Sequence, residues 1–305
     1  MTSHSPGEVT QAVRRRFQHR RERAHQFAKR RRMHGETNSI ALFVVGAQRS
    51  GTNMLMDVLE QSLDAWTYNE GEPEAFRKYR LRPAHKIERL VQNSPTPVVA
   101  FKPISDSQHT DQLLERHAGS KAIWIFRRYQ DVANSALRRW GHLELARIRR
   151  LATKEPWTPL PEESLTDEQE IFLTRSSWLG ERLPAELWRL VNEIYDEGMT
   201  DASAASLKWY LRNSLFFSLN LDRNPESVKL VRYEDLVSNP TAHFGDIFQF
   251  LQITFDPSFV SSVVKTSIAK HPFPEIDSRV AALCEDLTRQ LESALSGHTN
   301  EPGNR

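Results

Sequence analysis

Residues 40–60, IALFVVGAQRSGTNMLMDVLE, constrain this chain more than any other stretch. Ile40 to Val44, with Val45 beside them, form an apolar run of the kind found in a buried strand. A glycine turn follows, Gly46-Ala47-Gln48-Arg49-Ser50-Gly51-Thr52, and Met54, Leu55, Val58 and Leu59 then share one helical face. A strand, a tight turn and a helix start bring several backbone N–H groups onto one point, where the helix dipole also favours negative charge. The segment predicts an anion cradle.

The spacing from Gly46 to Gly51 fits the Walker A pattern G-x-x-x-x-G-K-[ST]. Thr52 stands where that pattern has its lysine, and Asn53 where it has the Mg-binding hydroxyl. The positive charge comes instead from Arg49, inside the loop. The cradle is therefore expected to work without Mg, and the transferred group is not expected to be a phosphoryl.

A second apolar strand, Lys121 to Phe126, runs into Arg127-Arg128-Tyr129-Gln130-Asp131, and Ser135 follows Arg127 by eight residues in the first turns of a helix. Ligands of open α/β sheets bind outside the carboxyl ends of the strands. An arginine and a hydroxyl placed there suit a second, separate phosphate.

In these motifs the sequence resembles the sulfotransferases that use 3′-phosphoadenosine 5′-phosphosulfate (PAPS). Their 5′-phosphosulfate loop, [KR]-[ST]-G-[ST], matches Arg49-Ser50-Gly51-Thr52, and their 3′-phosphate motif, R-x-P-x-D-x-x-x-S, matches Arg127, Asp131 and Ser135. Tyr129 replaces the usual proline. A third similarity is Tyr233-Glu234-Asp235-Leu236 followed by Pro240, with Phe244, Ile247, Phe250 and Leu251 beyond. Here Tyr233 is expected under the nucleotide site, with the acids paired to nearby basic groups. The three motifs appear in the family's order over roughly residues 40–255.

The resemblance implies PAPS as co-substrate, with no metal required, held by Arg49, Ser50, Gly51, Thr52, Asn53, Arg127 and Ser135. It implies catalytic roles for Arg49 and for Lys102, beside the bridging oxygen of the donor. Cytosolic members carry a base histidine two residues after the strand-end lysine; here Pro103 and Ile104 follow Lys102. Another branch uses a glutamate in a G-E-P context, matching Asn69-Glu70-Gly71-Glu72-Pro73-Glu74. Glu72 is the first choice as base, with Glu70 and Glu74 as alternatives. Like charge beside a sulfonate should raise its pKa. His109, His117 and His142 occupy no motif position. The acceptor is expected to be a hydroxyl or amine of a small molecule or carbohydrate. Trp157, Trp178, Trp188, Trp209 and Tyr210 are mostly core by default, and otherwise wall material for an acceptor pocket.

The net charge of +2 hides an asymmetry. Residues 1–40 carry ten Lys/Arg against Glu8, Glu22 and Glu36, a net +7, which leaves −5 for the rest. Val9, Val13, Phe17, Ala24, Phe27 and Ala28 give this segment a partial helical stripe. It reads as a basic helix lying on the domain or projecting from it, either a solvated appendage or a dock for an anionic partner. No recognition module accompanies the charge, so no nucleic acid is expected. One cysteine, Cys284, excludes an internal disulfide and a Cys-rich metal site. No apolar run approaches a membrane span and no signal-peptide core precedes the first strand, so a cytoplasmic enzyme is expected.

Further strands are expected over 97–102 and 227–232, and helices over 110–115, 133–145, 186–197, 202–221 and 280–295, with Asp106 or Ser107 capping the first. Residues 151–185, with Pro156, Pro159, Pro161 and Pro184, read as an irregular region. The fold class is α/β, a central parallel sheet flanked by helices and P-loop NTPase-like. Domain organisation is a basic N-terminal helical extension over 1–38, a catalytic domain over 39–296 and a flexible tail over 297–305. Two other functions remain open, a P-loop nucleoside or metabolite kinase and a non-catalytic nucleotide-binding scaffold.

Overall fold

Ile40–Gly46 forms the central strand β1, every residue after Ile40 buried. Side chains alternate across a strand, so Ala41, Phe43 and Val45 enter one core and Leu42 and Val44 the other. At about 1.5–3 kcal/mol for each large apolar side chain removed from water, this strand ties both cores together. The computed structural model describes residues 21–35, 37–141, 143–152, 180–264, 268 and 270–298.

Beside β1 lie β2 (Ala65–Tyr68), β5 (Val98–Phe101), β6 (Lys121–Phe126) and β7 (Val228–Arg232), in the order β2-β5-β1-β6-β7 with every pairing parallel. A short antiparallel ribbon, β3 (Phe76–Arg77) with β4 (Arg80–Leu81), stands apart. One face of the sheet is covered by Asp201–Ser218 and Ser278–His298, through Leu207, Trp209, Val280 and Leu287. The other is covered by Thr52–Gln61 and Pro240–Leu251, through Leu55, Met56, Phe244 and Ile247. After β5 the chain crosses β1 to start β6 on its far side, so the connections leaving β1 and β6 diverge. That divergence opens a crevice at their carboxyl ends.

Several elements differ from the sequence reading. β2 escaped notice because four residues, AWTY, are too few to show a period. The helix expected over 133–145 is two helices, Tyr129–Trp140 and Leu143–Ala152, parted where Gly141 adopts φ 55°. Asp106 and Ser107 do not cap Thr110–Arg116. They lie within a 3₁₀ turn, Ile104–His109, where Asp106 accepts from Leu81 N at 2.8 Å and Arg80 Nε at 2.5 Å. Cys284 is buried, its thiol donating to Ser206 O at 3.4 Å. Burial pushes that thiol's pKa up, which suits a structural role. Trp157, Trp178, most of the 151–185 region and the last seven residues lie outside the described residues.

A helix over residues 21–34 packs on the edge strand β2. Phe27 meets Trp66 edge-on at 5.4 Å, and Arg30 donates to Glu60 O at 3.1 Å and Ser62 O at 3.0 Å. His34 pairs with Asp64 at 3.3 Å. A covered edge cannot template pairing with another chain. Residues 1–20, with Arg14, Arg15, Arg16 and Arg20, lie outside the described residues. No described helix is long and apolar enough to cross a membrane.

Candidate active site

Two glycines and one strained arginine shape the turn after β1. Gly46 adopts φ 126°, and a Cβ there would stand 2.3 Å from the Ile125 carbonyl oxygen. Gly51 adopts φ 99°, and a Cβ there would stand 2.3 Å from Cδ2 of Tyr233. Both positions exclude a side chain by conformation and by space. Arg49 also sits in the left-handed region, at φ 70°, which costs roughly 1–2 kcal/mol. Three contacts hold it there. Its Nε donates to Ser135 Oγ at 2.8 Å, its carbonyl accepts from Arg127 Nη1 at 3.4 Å, and the adjacent Gln48 Oε1 accepts from Lys208 Nζ at 2.8 Å. Arg49 and Ser135, expected at opposite ends of one ligand, are in direct contact.

Arg127 leaves the end of β6 with its guanidinium 4.4 Å from the Tyr233 ring centre. Tyr233 is thus wedged between Gly51 and Arg127, while Glu234 accepts the Arg128 N–H at 3.0 Å. Burial lowers the pKa of Arg49, and the positive charges of Arg127, Arg139 and Arg138 lower it further. Such crowding of cations stores repulsion that an anion would relieve. Ser50 Oγ is buried with no hydrogen-bond partner among the described residues. The helix Thr52–Gln61 has no acid in its first turn. A phosphate or sulfonate oxygen would satisfy the hydroxyl, the helix N-terminus and the arginines together. On these observations the residues fit the anionic ends of a nucleotide donor.

Lys102 follows β5 on the other side of β1. Its ammonium donates to Asn53 Oδ1 and lies 3.6 Å from Glu70 Oε2. Arg49, Asn53, Glu70, Lys102, Arg127 and Tyr233 line one cavity of about 350 Å³. Glu72 lies outside that lining: its Oε1 accepts the Asn69 N–H at 3.0 Å and its Oε2 pairs with Arg23 at 3.0 Å. Burial pushes the Glu72 carboxyl up, against the Asn69 N–H and Arg23, but a base must also reach the acceptor. Glu74 is exposed. Of the three acids, Glu70 is the one brought to Lys102 and the β1 loop. His109 is bonded to Glu181 at 3.2 Å and His117 packs on Phe43 at 5.6 Å. His142 lies outside the described residues.

A sequence model of the sulfotransferase family matches residues 41–257, more than half of the chain. The chain belongs to the sulfotransferase family. No curated protein matches it by sequence. Among solved structures it is similar to a sulfotransferase from Alicyclobacillus acidocaldarius, at 18% identity and a TM-score of 0.47, covering 84% of this chain and 96% of that one. It is also similar to the sulfotransferase domain from the curacin biosynthetic pathway, at 15% identity and a TM-score of 0.44, covering 83% and 98%. A mouse sulfotransferase complexed with PAP shows 16% identity and a TM-score of 0.36, covering 86% and 85%.

In this member of the family a buried charge cluster supports the loop from beneath. Lys208 Nζ reaches Glu144 Oε1 at 2.7 Å as well as Gln48, and Arg147 Nη1 donates to the same Glu144 oxygen at 2.6 Å. Trp140 packs among these cations, its ring centre 5.1 Å from Lys208 Nζ and 6.0 Å from the Arg49 guanidinium carbon. A lone lysine in the apolar run AASLKWYL was the available sequence signal, but a solvated reading of it is equally natural.

Gly51→Ala should cost about 2 kcal/mol or more, from backbone strain plus collision with the Tyr233 ring. Chemical denaturation measures this; an unchanged midpoint would mean that the ring moves aside freely.

Burial pulls the Lys208 ammonium down to about 7 from an ordinary 10.5, with Glu144 opposing the fall. Across that window the folded chain holds fewer protons at this site than the unfolded chain, so stability contributed here rises with pH. Lys208→Met removes the group. Denaturation at about pH 7 and pH 10 should show a smaller gain with pH in the variant than in the parent. An equal gain would place the ammonium's pKa near its ordinary value.

Proposed function

We propose that this chain transfers a sulfuryl group from PAPS to a hydroxyl or amine of a small-molecule or carbohydrate acceptor. The observation that carries this is the meeting of Arg49 and Ser135 at 2.8 Å, with Arg127 on the Arg49 carbonyl, in a crevice where Ser50 Oγ has no partner among the described residues. One set of residues follows β1 and the other follows β6, as the two phosphate-bearing ends of a single nucleotide require. Arg49, Ser50, Gly51, Thr52 and Asn53 hold the 5′ side, and Arg127 with Ser135 reads the 3′-phosphate. The bound donor supplies a sulfuryl group on a phosphate leaving group.

Positioning and charge stabilisation do most of the work in such transfers. Lys102 neutralises charge that grows on the leaving phosphate. Glu70, 3.6 Å from that ammonium, takes the acceptor's proton as the new bond to sulfur forms and the bond to the leaving phosphate breaks. Glu70 is preferred here to Glu72, the first choice by motif position, and the contacts of the Glu72 carboxylate with Arg23 and Asn69 support that preference. The site has no Walker lysine, and Asn53 bonds Lys102 where a P-loop hydroxyl would bind Mg.

Calorimetry tests the donor reading. The 3′,5′-bisphosphate of adenosine should bind better than ATP, and EDTA should have little effect. A charge-assisted arginine contact contributes about 1.5–3 kcal/mol, so Arg127→Ala should weaken the bisphosphate by roughly 10- to 150-fold. Adenosine 5′-phosphosulfate, without a 3′-phosphate, should lose less, by no more than the Arg49 loop gives up when Arg127 no longer holds its carbonyl. Mg-dependent ATP binding with no response to the bisphosphate would favour a kinase.

Radiolabelled PAPS incubated with an acceptor panel tests the base. Glu70→Gln should lower turnover by about 10²–10⁴ and leave bisphosphate affinity unchanged. Glu72→Gln should cost less. The reverse order would return the base role to Glu72.

A further inference from the structure

The family match begins at residue 41, yet the helix over 21–34 reaches the acidic turn of the site from outside that span. Arg23 is the residue that does so. Its Nη2 donates to Thr67 O at 2.9 Å and pairs with Glu72 Oε2 at 3.0 Å. The guanidinium carbon lies 4.4 Å from the Trp66 ring centre and 5.5 Å from that of Tyr68. Arg23 and Glu72 side chains are only 21% and 19% exposed, so the pair is shielded and its geometry is set by the two rings.

Glu72 in turn closes two successive turns. Its Oε1 accepts the Asn69 N–H at 3.0 Å, and its own N–H donates to Asn69 O at 2.9 Å. Its carbonyl accepts from Ala75 N at 3.2 Å and Phe76 N at 2.9 Å. Glu70 lies inside the first of these turns, with Oε2 at 3.6 Å from Lys102 Nζ. Glu74 and Glu60 place like charge near the Glu72 carboxylate. Without Arg23, a half-buried carboxylate beside two other acids gains by swinging to solvent, and the Asn69 N–H then loses its acceptor.

We infer that Arg23 is a positioning residue of the active site: it clamps Glu72 against the edge of β2, so that the turn 69–72 presents Glu70 to Lys102 and the cavity. The inference rests on the assignment of Glu70 as base. It makes the basic helix a working part of the site. A displacement of about 1 Å at a reacting group can cost on the order of 100-fold in rate, which is the lever available to a residue that never touches substrate.

The test uses the full chain with Arg23→Ala, Arg23→Lys, Glu72→Gln and the Arg23→Ala/Glu72→Gln pair. Labelled transfer from PAPS, bisphosphate calorimetry and amide hydrogen exchange are read in parallel. Each of Arg23→Ala and Glu72→Gln should lower turnover by roughly 10- to 100-fold. The pair should be no worse than the weaker single variant, because both break one clamp. Arg23→Lys should recover part of the loss, bisphosphate affinity should hold, and the Asn69 amide should exchange faster in Arg23→Ala while β1 amides do not. Multiplicative losses in the pair, full activity in Arg23→Ala, or β1 amides loosening along with Asn69 would each overturn the proposal. If the parent binds no bisphosphate, the donor reading fails by itself. Exchange at Asn69 still decides whether Arg23 holds the turn.

Discussion

Two arginines held against each other at the ends of β1 and β6 are the constraint on which the rest of this structure depends. Arg127 donates to the carbonyl of Arg49, and Arg49 donates to Ser135, so the two loops are latched by groups of the same charge. Like charges do not meet without support. Here it comes from the Tyr233 ring beneath Arg127, from Trp140 near Arg49, and from Lys208 gripping Gln48. Each of these comes from a different segment, which explains why a crevice formed by two strands needs the helices at 129–140 and 201–218 and the short helix Tyr233–Ser238 after β7. The glycines follow from the same demand. Tyr233 can reach Arg127 only by crossing the space a side chain at position 51 would fill.

The parts of this arrangement that could be read from the sequence are those whose chemistry is local. The loop after β1 announces itself because strand, glycines, arginine and helix fall within one stretch of chain. Arg127 and Ser135 are legible once the strand before them is recognised, since their spacing alone carries both across the strand end. What could not be read depends on side-chain direction. Glu70 and Glu72 are two residues apart in one turn, and only the fold shows that one faces Lys102 and the other faces Arg23. Lys208 has no motif, because a buried lysine is defined by Glu144 and Gln48, 64 and 160 residues away. β2 was too short to declare itself, and with it went the edge on which the N-terminal helix docks.

That helix changes the meaning of the charge asymmetry. Ten cations in the first 40 residues read as a solvated arm or a dock for an anionic partner. Two of them are neither: Arg23 and Arg30 spend their donors on carbonyls of residues 60–67 and stack near Trp66. The exposed remainder of that helix, including Arg21, Lys29, Arg31 and Arg32, stays available to solvent. A basic segment can therefore carry structural and surface charge on opposite sides of one helix, and a net charge does not separate them.

An arginine at φ 70°, a buried hydroxyl without a partner among the described residues and a crowd of guanidinium groups each cost the crevice stability. Among the described residues the nearby acids are committed to other partners: Glu144 to Lys208 and Arg147, Glu234 to Arg128, Glu72 to Arg23, and Glu70 to Lys102. Of the three costs, a bound anion would relieve the last two, and the Arg49 backbone angle would still be held by Ser135 and Arg127. With Glu70, the acid that lines the cavity, paired to Lys102, the proposed donor would neutralise the guanidinium groups, and preorganisation of this kind is where tight binding and electrostatic catalysis draw their free energy.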